Sequence, residues 1–280
     1  MLAPILILLV AIDSPGPSPP SSGPAVVQST PEASAGDRTP RDPKSPVPGV
    51  ADGRGPTGPV SLRILRPAPD EEIPLPGEVA SGAEVHVAFD LKDYETFFDT
   101  ATRSGQGVAI ILDGLPFFSH YDVSKPWVFR KVPPGPHTLR AVPIRPWGEP
   151  IREDGAFAMV TFRVGPRTDK MAPGPGEPAL VVFSPRQQGK YSATEAASLK
   201  FHFLVRGCRV SEEKAPETCR VRYRIDDRPE VILSSPEGAP LDGLSVGRHG
   251  FSVGLTRDGK LIPGAFALVQ LAFEVTETAR

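Results

Sequence analysis

The two cysteines of the chain are predicted to form a disulfide, because only two cysteines in a chain with an apolar, export-like start are naturally read as a pair. Cys208 and Cys219 flank a polar loop between two strand-like segments, 199–206 and 220–225. If those segments pair as a hairpin, the two thiols stand opposite each other at the base of the loop, where a bond can close. Two reduced thiols in a cytosolic protein are the alternative. A metal site would need two further ligands at suitable spacing, and the sequence offers none, so we expect neither a metal nor a cofactor.

Aromatic residues near turns could carry recognition. Trp147 stands between Pro146 and Gly148, in a segment expected to join two strands. Proline presets the backbone, so a ring held there is a rigid contact point, and large aromatics in loops contact partners more often than they pack. The residues predicted to bind a partner are Arg145, Trp147, Tyr121 and Trp127.

A second aromatic group lies upstream of these residues. Tyr94, Phe97, Phe98 and Ala101 are spaced as on one face of a short helix, which the sequence predicts to lie on the sheet. The alternative is that the rings simply cap the core.

Three arginines alternate with apolar residues along one predicted strand. Arg220, Arg222 and Arg224 point to one face, and the residues between them point to the other. Such a face could bind an acidic polymer. The alternative is the ordinary solvated face of a sandwich, with acidic neighbours.

No catalytic motif is present in the sequence. It contains no H-E-x-x-H, G-x-S-x-G, P-loop or G-x-G-x-x-G pattern. The acidic run at 70–72 lies in a proline-flanked turn and is expected to be a solvated loop. His137 and His249 occupy equivalent places in a repeat described below, which predicts structural partners for both. We therefore expect no catalytic residue and no enzymatic activity.

The composition indicates short strands and turns. The chain of 280 residues contains 35 prolines and 27 glycines, and its apolar residues alternate with polar ones wherever prolines are sparse. We expect almost no helix. A formal net charge of -2 with mixed signs provides no field that would attract nucleic acid.

The N-terminal segment differs from the rest of the chain. Residues 1–12 are apolar, too few to span a membrane and similar in length to the apolar region of a signal peptide, although no basic residue precedes them. Residues 13–59 are rich in Pro, Ser, Gly and Ala, so the sequence predicts a disordered tether. Export to the cell envelope or the exterior is the interpretation that these features favour.

The rest of the chain repeats itself at a spacing of roughly one domain. The matched blocks are V-A-I-I-L-D-G-L-P at 108–116 with V-R-Y-R-I-D-D-R-P at 221–229, P-G-P-H-T-L at 134–139 with V-G-R-H-G-F at 246–251, and G-A-F-A-M-V at 155–160 with G-A-F-A-L-V at 264–269. Strand signals separated by turns, without helical stretches, predict an all-β chain of two tandem sandwiches. The predicted domains are 60–166 and 178–280, joined by a linker at 167–177.

This pattern resembles the bacterial immunoglobulin-like and fibronectin-III-like modules of secreted and cell-surface proteins. The segments Y-D-V-S-K-P at 121–126, P-P-G-P-H-T-L-R-A-V-P at 133–143 and R-P-W at 145–147 resemble a domain of exported bacterial proteins, a likeness that covers roughly residues 105–165. The second copy lacks the first and last of these elements, so any role they carry would belong to the first domain.

The functional expectation is a secreted or envelope-attached binding or structural module that is not an enzyme. Its partner would be a protein or polysaccharide of the cell envelope, without nucleic acid and without a stable membrane span. An accessory carbohydrate-binding protein is the alternative. A planar row of exposed aromatic rings would favour carbohydrate, whereas a smooth polar surface would favour a structural spacer.

Overall fold

The computed structural model describes residues 53–76, 82–114, 116–166, 172–174 and 176–278. The apolar segment 1–12 and residues 13–52 of the expected tether lie outside the described residues, as does much of the expected linker. Within the described residues, no helix is long and apolar enough to cross a membrane.

In its described residues, the first sandwich contains nine strands in two sheets. They are β1 (Ser61–Arg66), β2 (Glu72–Ile73), β3 (Ala83–Lys92), β4 (Phe97–Asp99), β5 (Ser104–Leu112), β6 (Phe118–His120), β7 (Trp127–Val132), β8 (Gly135–Ile144) and β9 (Ala158–Val164). A three-stranded sheet has the order β1-β3-β7, and a six-stranded sheet has the order β2-β9-β8-β5-β4, with β6 also paired to β5. A 3-10 turn at Asp154–Ala156 precedes β9.

The second sandwich repeats this arrangement. Its strands are β10 (Ala179–Ser184), β11 (Lys190–Ser192), β12 (Lys200–Arg206), β13 (Arg209–Val210), β14 (Thr218–Ile225), β15 (Val231–Leu233), β16 (Ala239–Pro240), β17 (Gly247–Arg257), β18 (Lys260–Leu261) and β19 (Leu268–Thr276). The three-stranded sheet has the order β10-β12-β16, and the large sheet has the order β11-β19-β17-β14-β13, with β15 on β14 and β18 on β17. One helical turn, Ala193–Ala196, is closed by a capping box of Ser192 and Glu195. The prediction of an all-β chain of tandem sandwiches is confirmed.

Strand alternation builds each core. In β3, Val85, Val87 and Phe89 point inward and are buried, while the residues between them are more exposed. In the second sandwich, Phe201 lies at the centre of the core, with the ring centroids of Phe203 and Phe251 4.7 and 5.0 Å from its own. Each domain therefore has its own hydrophobic core between its two sheets.

A third apolar cluster joins the two sandwiches. The outer face of the six-stranded sheet and the outer face of the β10-β12 pair pack together here, within one compact unit. Its buried members are Ala109, Ile111, Val142 and Ile144 from the first sandwich, and Val181, Phe183 and Leu204 from the second.

Polar contacts frame this junction. The guanidinium of Arg152 donates to the carbonyl oxygen of Phe203 at 2.8 Å. Arg140 is 2% exposed and lies 4.1 Å from the ring centre of Phe266. Burial in this contact lowers the pKa of Arg140 to about 10, so the side chain is charged near neutral pH. The second domain therefore packs on the first through both apolar and cation–π contacts.

The predicted helix on the sheet is wrong. Residues Phe97 to Asp99 form strand β4, which pairs with the start of β5. Tyr94 is buried, whereas Phe98 is exposed, so the two rings do not share a face. The backbone groups along the open edge of β5 need hydrogen-bond partners, and a strand supplies them where a helix could not.

Residues 53–59 contact the first sandwich, although the sequence placed them in the tether. The backbone N–H of Arg54 donates to the side-chain oxygen of Gln106 at 3.1 Å, and the N–H of Thr57 donates to the carbonyl of Asp93 at 3.1 Å. The Gln106 side chain is buried, and its amide N–H donates a hydrogen bond to the carbonyl oxygen of Glu95. The chain that packs on the first domain therefore extends at least to Gly53.

Candidate functional site

A histidine and an aspartate form the same clasp in both domains. His137 Nδ1 lies 2.8 Å from the Asp113 carboxylate, and its Nε2 lies 2.8 Å from the carbonyl oxygen of Pro133. His249 makes the matching contacts with Asp226 and the carbonyl of Ser245, also at 2.8 Å. The partners are structural, as the repeat predicted. The sequence showed both members of each pair, at the end of one strand and the start of another, but not that they meet.

The first clasp stabilises a protonated histidine. Both acceptors are oxygens, and only an imidazolium can donate from both nitrogens. Burial alone lowers the pKa of His137, but the hydrogen bonds to Asp113 and Pro133 outweigh it and raise that pKa above its ordinary value.

Stability should therefore fall as the pH rises past the neutral range. An unfolded histidine titrates near pH 6.5, so the contribution of His137 is complete below about pH 6.5 and is lost as the pH passes its folded-state pKa. We expect the free energy of unfolding to fall more steeply over this range in the native protein than in His137→Gln, measured by urea denaturation at several pH values.

The other buried histidine with a shifted pKa, His202, does not contribute to the change in stability above about pH 6.5. Burial lowers its pKa to about 4, so its own contribution to stability is already complete above about pH 6.5. A pH dependence that is identical in the native and His137→Gln proteins would contradict the assignment of a raised pKa to His137.

The predicted binding loop of Arg145 and Trp147 is fixed by contacts with other residues of the same chain. Trp147 is half-buried, and its indole N–H donates to the Glu149 carboxylate at 2.8 Å. The Arg145 guanidinium lies 5.6 Å from the Trp147 ring centre. Gly53 approaches the ring so closely that a Cβ there would come within 2.7 Å of it. Most of the loop's polar groups are therefore already paired inside the molecule.

Tyr121 covers the outer face of the sheet edge. Its ring lies over Gly105 and Gly107 of β5, where an added Cβ would come within 3.1 and 2.8 Å of it. These glycines leave the space that the ring occupies. Phe98 packs on Tyr121 with ring centres 5.0 Å apart and is 48% exposed. Phe98, which the sequence placed on a helix face, is therefore the outer ring of an aromatic pair at this edge.

Trp127 lies on the other side of the edge strand β6. Phe118 of β6 packs on it with ring centres 5.6 Å apart and is 40% exposed, while Phe129 completes the group from inside the core. The Trp127 indole N–H is buried and has no hydrogen-bond acceptor among the described residues. An open depression nearby is lined by apolar residues together with Arg66, His86, Ser124 and Lys125.

We refer to Phe98, Phe118, Tyr121 and Trp127 as the aromatic edge. Phe118 pairs with the inward-facing Ile110, and Tyr121 covers the outward face, so the two ring pairs flank β6 on opposite sides. Their planes are tilted by 44° in one pair and 35° in the other. The structure thus brings Tyr121 and Trp127 to one sheet edge, whereas Arg145 and Trp147 belong to a separate loop.

The disulfide between Cys208 and Cys219 is confirmed, with Cα atoms 5.9 Å apart. The predicted hairpin is wrong, because β12 pairs with β10 and β16, and β14 pairs with β17. Cys208 follows the end of β12 in the small sheet, and Cys219 lies in β14 of the large sheet. The bond therefore fixes to β14 the point where the chain passes from β12 of the small sheet to β13, which pairs with β14 in the large sheet.

The arginine strand has the predicted alternation. Val221, Tyr223 and Ile225 are buried in the core, so the arginines of β14 point outward. Arg222 lies 3.4 Å from Glu230. Arg224 makes no side-chain hydrogen bond or ion pair within the described part of the chain.

No group of three or more His, Cys, Asp or Glu residues in the described ranges could hold a metal ion. Both His–Asp pairs have their ring nitrogens committed to turn contacts. What the described surface offers is contact area: half-exposed aromatic rings on the first sandwich and a mixed cationic and apolar face on the second.

No protein-family model matches the chain, and no curated protein matches it. Among solved structures, fibronectin(III)-like modules of CbhA from Clostridium thermocellum are 15% identical, with a TM-score of 0.27, covering 38% of this chain and 98% of theirs. SGBP-B of the Bacteroides ovatus mixed-linkage glucan utilization locus, solved with a mixed-linkage heptasaccharide, is 11% identical, with a TM-score of 0.22, covering 77% of this chain and 70% of its own. At these identities and scores the likenesses bear on no function.

Proposed function

We propose that this chain is a non-catalytic binding module, secreted or attached to the cell envelope, that contacts a protein partner through the aromatic edge of its first sandwich. The observation that carries this proposal is the half-exposure of Phe98 and Phe118 at one sheet edge. Leaving large apolar rings in water forgoes the stabilisation that burial would provide, and such residues are concentrated at binding surfaces.

The edge suits a protein surface better than a flat ligand. A sugar ring stacks on a plane, whereas the two ring pairs are tilted and lie on opposite sides of β6. Each pair is supported from behind, by the glycines of β5 under Tyr121 and by Phe129 beside Trp127. Supported rings lose little conformational entropy when a partner covers them.

Polysaccharide binding is the second candidate, and one observation favours it. Phe98 packs against Tyr121 at a tilt and offers a single exposed ring, which is sufficient for one pyranose face. The loop of Arg145 and Trp147 lies at the end of the sheet where Gly107 pairs with Ile144, the same end that Tyr121 covers. It is therefore the second proposed contact for either ligand class.

Export is consistent with the sulfur chemistry. The disulfide of Cys208 and Cys219 persists in an oxidising compartment, and such bonds are rare in the cytosol. The apolar segment 1–12 would direct the chain there.

Binding should depend on the two exposed phenylalanines. We expect the double variant Phe98→Ala/Phe118→Ala to lose at least about tenfold in affinity for solubilised envelope proteins, since truncating an interface anchor costs about 1 to 4 kcal/mol. The measurement is biolayer interferometry with the immobilised chain. Val246→Ala is the matched control, because Val246 is an exposed apolar residue of the second domain.

The same variants separate the alternatives. In affinity electrophoresis with a panel of soluble glucans, retardation that is lost in Phe98→Ala but kept in Phe118→Ala would favour polysaccharide as the ligand.

The Trp147→Ala variant should weaken binding less than either phenylalanine change, because the Trp147 indole N–H is already bonded to Glu149. Unchanged binding in the double variant would refute the aromatic edge as the contact.

A further inference from the structure

The second sandwich carries an uncovered, mixed apolar and cationic surface on the outer side of its large sheet. We call it the arginine face, and its members are Arg222, Arg224, Ile232, Gly254, Leu261 and Leu268. Three of them are exposed apolar residues: Ile232 at 55%, Leu261 at 45% and Leu268 at 48%. It lies on a different domain from the aromatic edge.

The duplication identifies the counterpart of this face in the first sandwich. Leu112 pairs with Leu139 just before one His–Asp clasp, and Ile225 pairs with Phe251 just before the other. Counting back along the same registers, the pair Arg222–Gly254 occupies the place of the pair Ala109–Val142. Arg224 likewise occupies the place of Ile111.

In the first sandwich this surface is an interface. Ala109, Val142 and Ile111 are buried against the outer face of the β10-β12 pair of the next domain. The outer side of this sheet therefore accepts the small sheet of another sandwich, and the contact is realised within this chain.

Compared with the covered face of the first sandwich, the arginine face also has apolar residues, but it carries arginines where Ala109 and Ile111 stand. The side chains of Leu261 and Leu268 lie over Gly254, where an added Cβ would come within 2.6 Å of Leu261 and 3.4 Å of Leu268. Arg222 has Glu230 nearby, whereas Arg224 has no charged partner among the described residues. A surface that covers this face must supply carboxylates opposite the arginines, because an unpaired charge is costly to bury.

We propose that the arginine face docks the small-sheet face of a partner protein's β-sandwich, one that carries carboxylates where Val181 and Leu204 stand in the internal junction. The apolar centre of that junction would be kept through Leu261 and Leu268. The apolar pairing around Ala109 and Ile111 would be replaced by arginine–carboxylate pairs.

A second copy of the native chain does not supply this chemistry. In the first sandwich, the pair Arg63–Asp90 stands where Val181–Leu204 stand in the second, followed by the same register shift. Arg63 lies 2.6 Å from Asp90 and is exposed, so this face presents a guanidinium and a neutralised carboxylate. Leu65, in the place of Phe183, is 51% exposed and keeps the apolar position.

Because of this difference, a single substitution can give the chain the acidic sandwich face that the proposal requires, so self-association can be used as the test. Arg63→Glu frees Asp90 and adds a second carboxylate, which converts the small-sheet face of the first domain into the acidic sandwich face that the proposal requires. We expect sedimentation velocity to show a monomer for the native chain and concentration-dependent, head-to-tail association for Arg63→Glu. Added salt should weaken that association.

The arginine face is tested by adding charge reversals there. Association of Arg63→Glu should weaken at least roughly tenfold when Arg222→Glu and Arg224→Glu are added, the scale expected for close charge pairs. Leu268→Ala should weaken it as well. Arg63→Gln is the matched control, because it frees Asp90 without adding the second carboxylate, so its association should be weaker than that of Arg63→Glu. Melting temperatures near the native value would establish that each variant folds.

Several outcomes would overturn the proposal. A monomeric Arg63→Glu chain at the highest soluble concentration would do so, as would association that persists in the triple variant. Self-association of the native chain would instead make a second copy the occupant. Retention on heparin that depends on Arg222 and Arg224, with Arg63→Glu monomeric, would identify a polyanion instead.

Discussion

Replacing Phe183 with alanine should lower the free energy of unfolding by about 3 to 5 kcal/mol, the cost of deleting a fully buried large aromatic. Phe183 is 0% exposed and packs in the junction between the sandwiches, with Phe117 at a ring distance of 5.5 Å. The cavity would fall between two domains, each of which has its own core. We therefore also expect calorimetry to resolve two thermal transitions in this variant and a single one in the native protein.

The chain provides a matched control for this change. Leu65 occupies the same place in the first sandwich as Phe183 in the second, but its side chain is exposed. Leu65→Ala should therefore change stability by no more than about 0.5 kcal/mol. If urea denaturation showed an equally small loss in the free energy of unfolding for Phe183→Ala and Leu65→Ala, the junction would contribute little to stability.

Loss of the Cys208–Cys219 disulfide should cost about 3 kcal/mol, as expected for a bond that closes a loop with a sequence separation of 11. Its structural role adds to the expectation, because the bond fixes the connection between β12 of the small sheet and β13 of the large sheet to β14. The variant Cys208→Ser/Cys219→Ser, compared with the native protein in urea, measures the effect. Cys219 is buried, so serine there also has to find a hydrogen-bond partner.

Reduction separates the cross-link from the substitution. Dithiothreitol should destabilise the native protein and leave the double serine variant unchanged. Protein taken from the oxidising side of the cell and unfolded without reductant should show no free thiols. Two thiols that react freely under those conditions would contradict the prediction.

The disulfide also shows what sequence reasoning can and cannot supply. Two cysteines near strand ends, in a chain with an apolar start, were enough to predict the bond. The proposed hairpin was wrong because β12 and β14 are neighbours in sequence but belong to different sheets. Strand pairing depends on contacts with distant strands such as β10 and β17, and local spacing does not report those.

The aromatic residues of the candidate site show the same difference between what local sequence indicates and what strand pairing decides. Tyr121 and Trp127 were predicted to bind a partner from their types and from a family resemblance, and that role stays a prediction; the structure places one of them in each ring pair beside β6. Phe98 was assigned to a helix, because its spacing from Tyr94 fits a helical face. The open edge of β5 needs a pairing strand there, and that need arises only after the sheet has assembled.

The sequence itself carries one signal of the junction between the sandwiches. The strand V-A-I-I-L at 108–112 has no polar alternation, whereas V-R-Y-R-I at 221–225 alternates strictly. A strand that is buried on both faces reads as a continuous apolar run. The contrast indicates that the first copy has both faces covered and that the second has one face open.

The sequence by itself determined the strands, the duplicated unit, the turn positions and the disulfide, because these follow from local periodicity, from residue preferences and from a pair of rare side chains. Gly135 and Gly247, at equivalent turns with φ of 135° and 138°, illustrate such local control. Only the tertiary structure decided which strands pair, which aromatic rings meet and which sheet face is covered. Those outcomes depend on contacts between residues far apart in the chain, and a covered face and an open one can be built from the same local pattern.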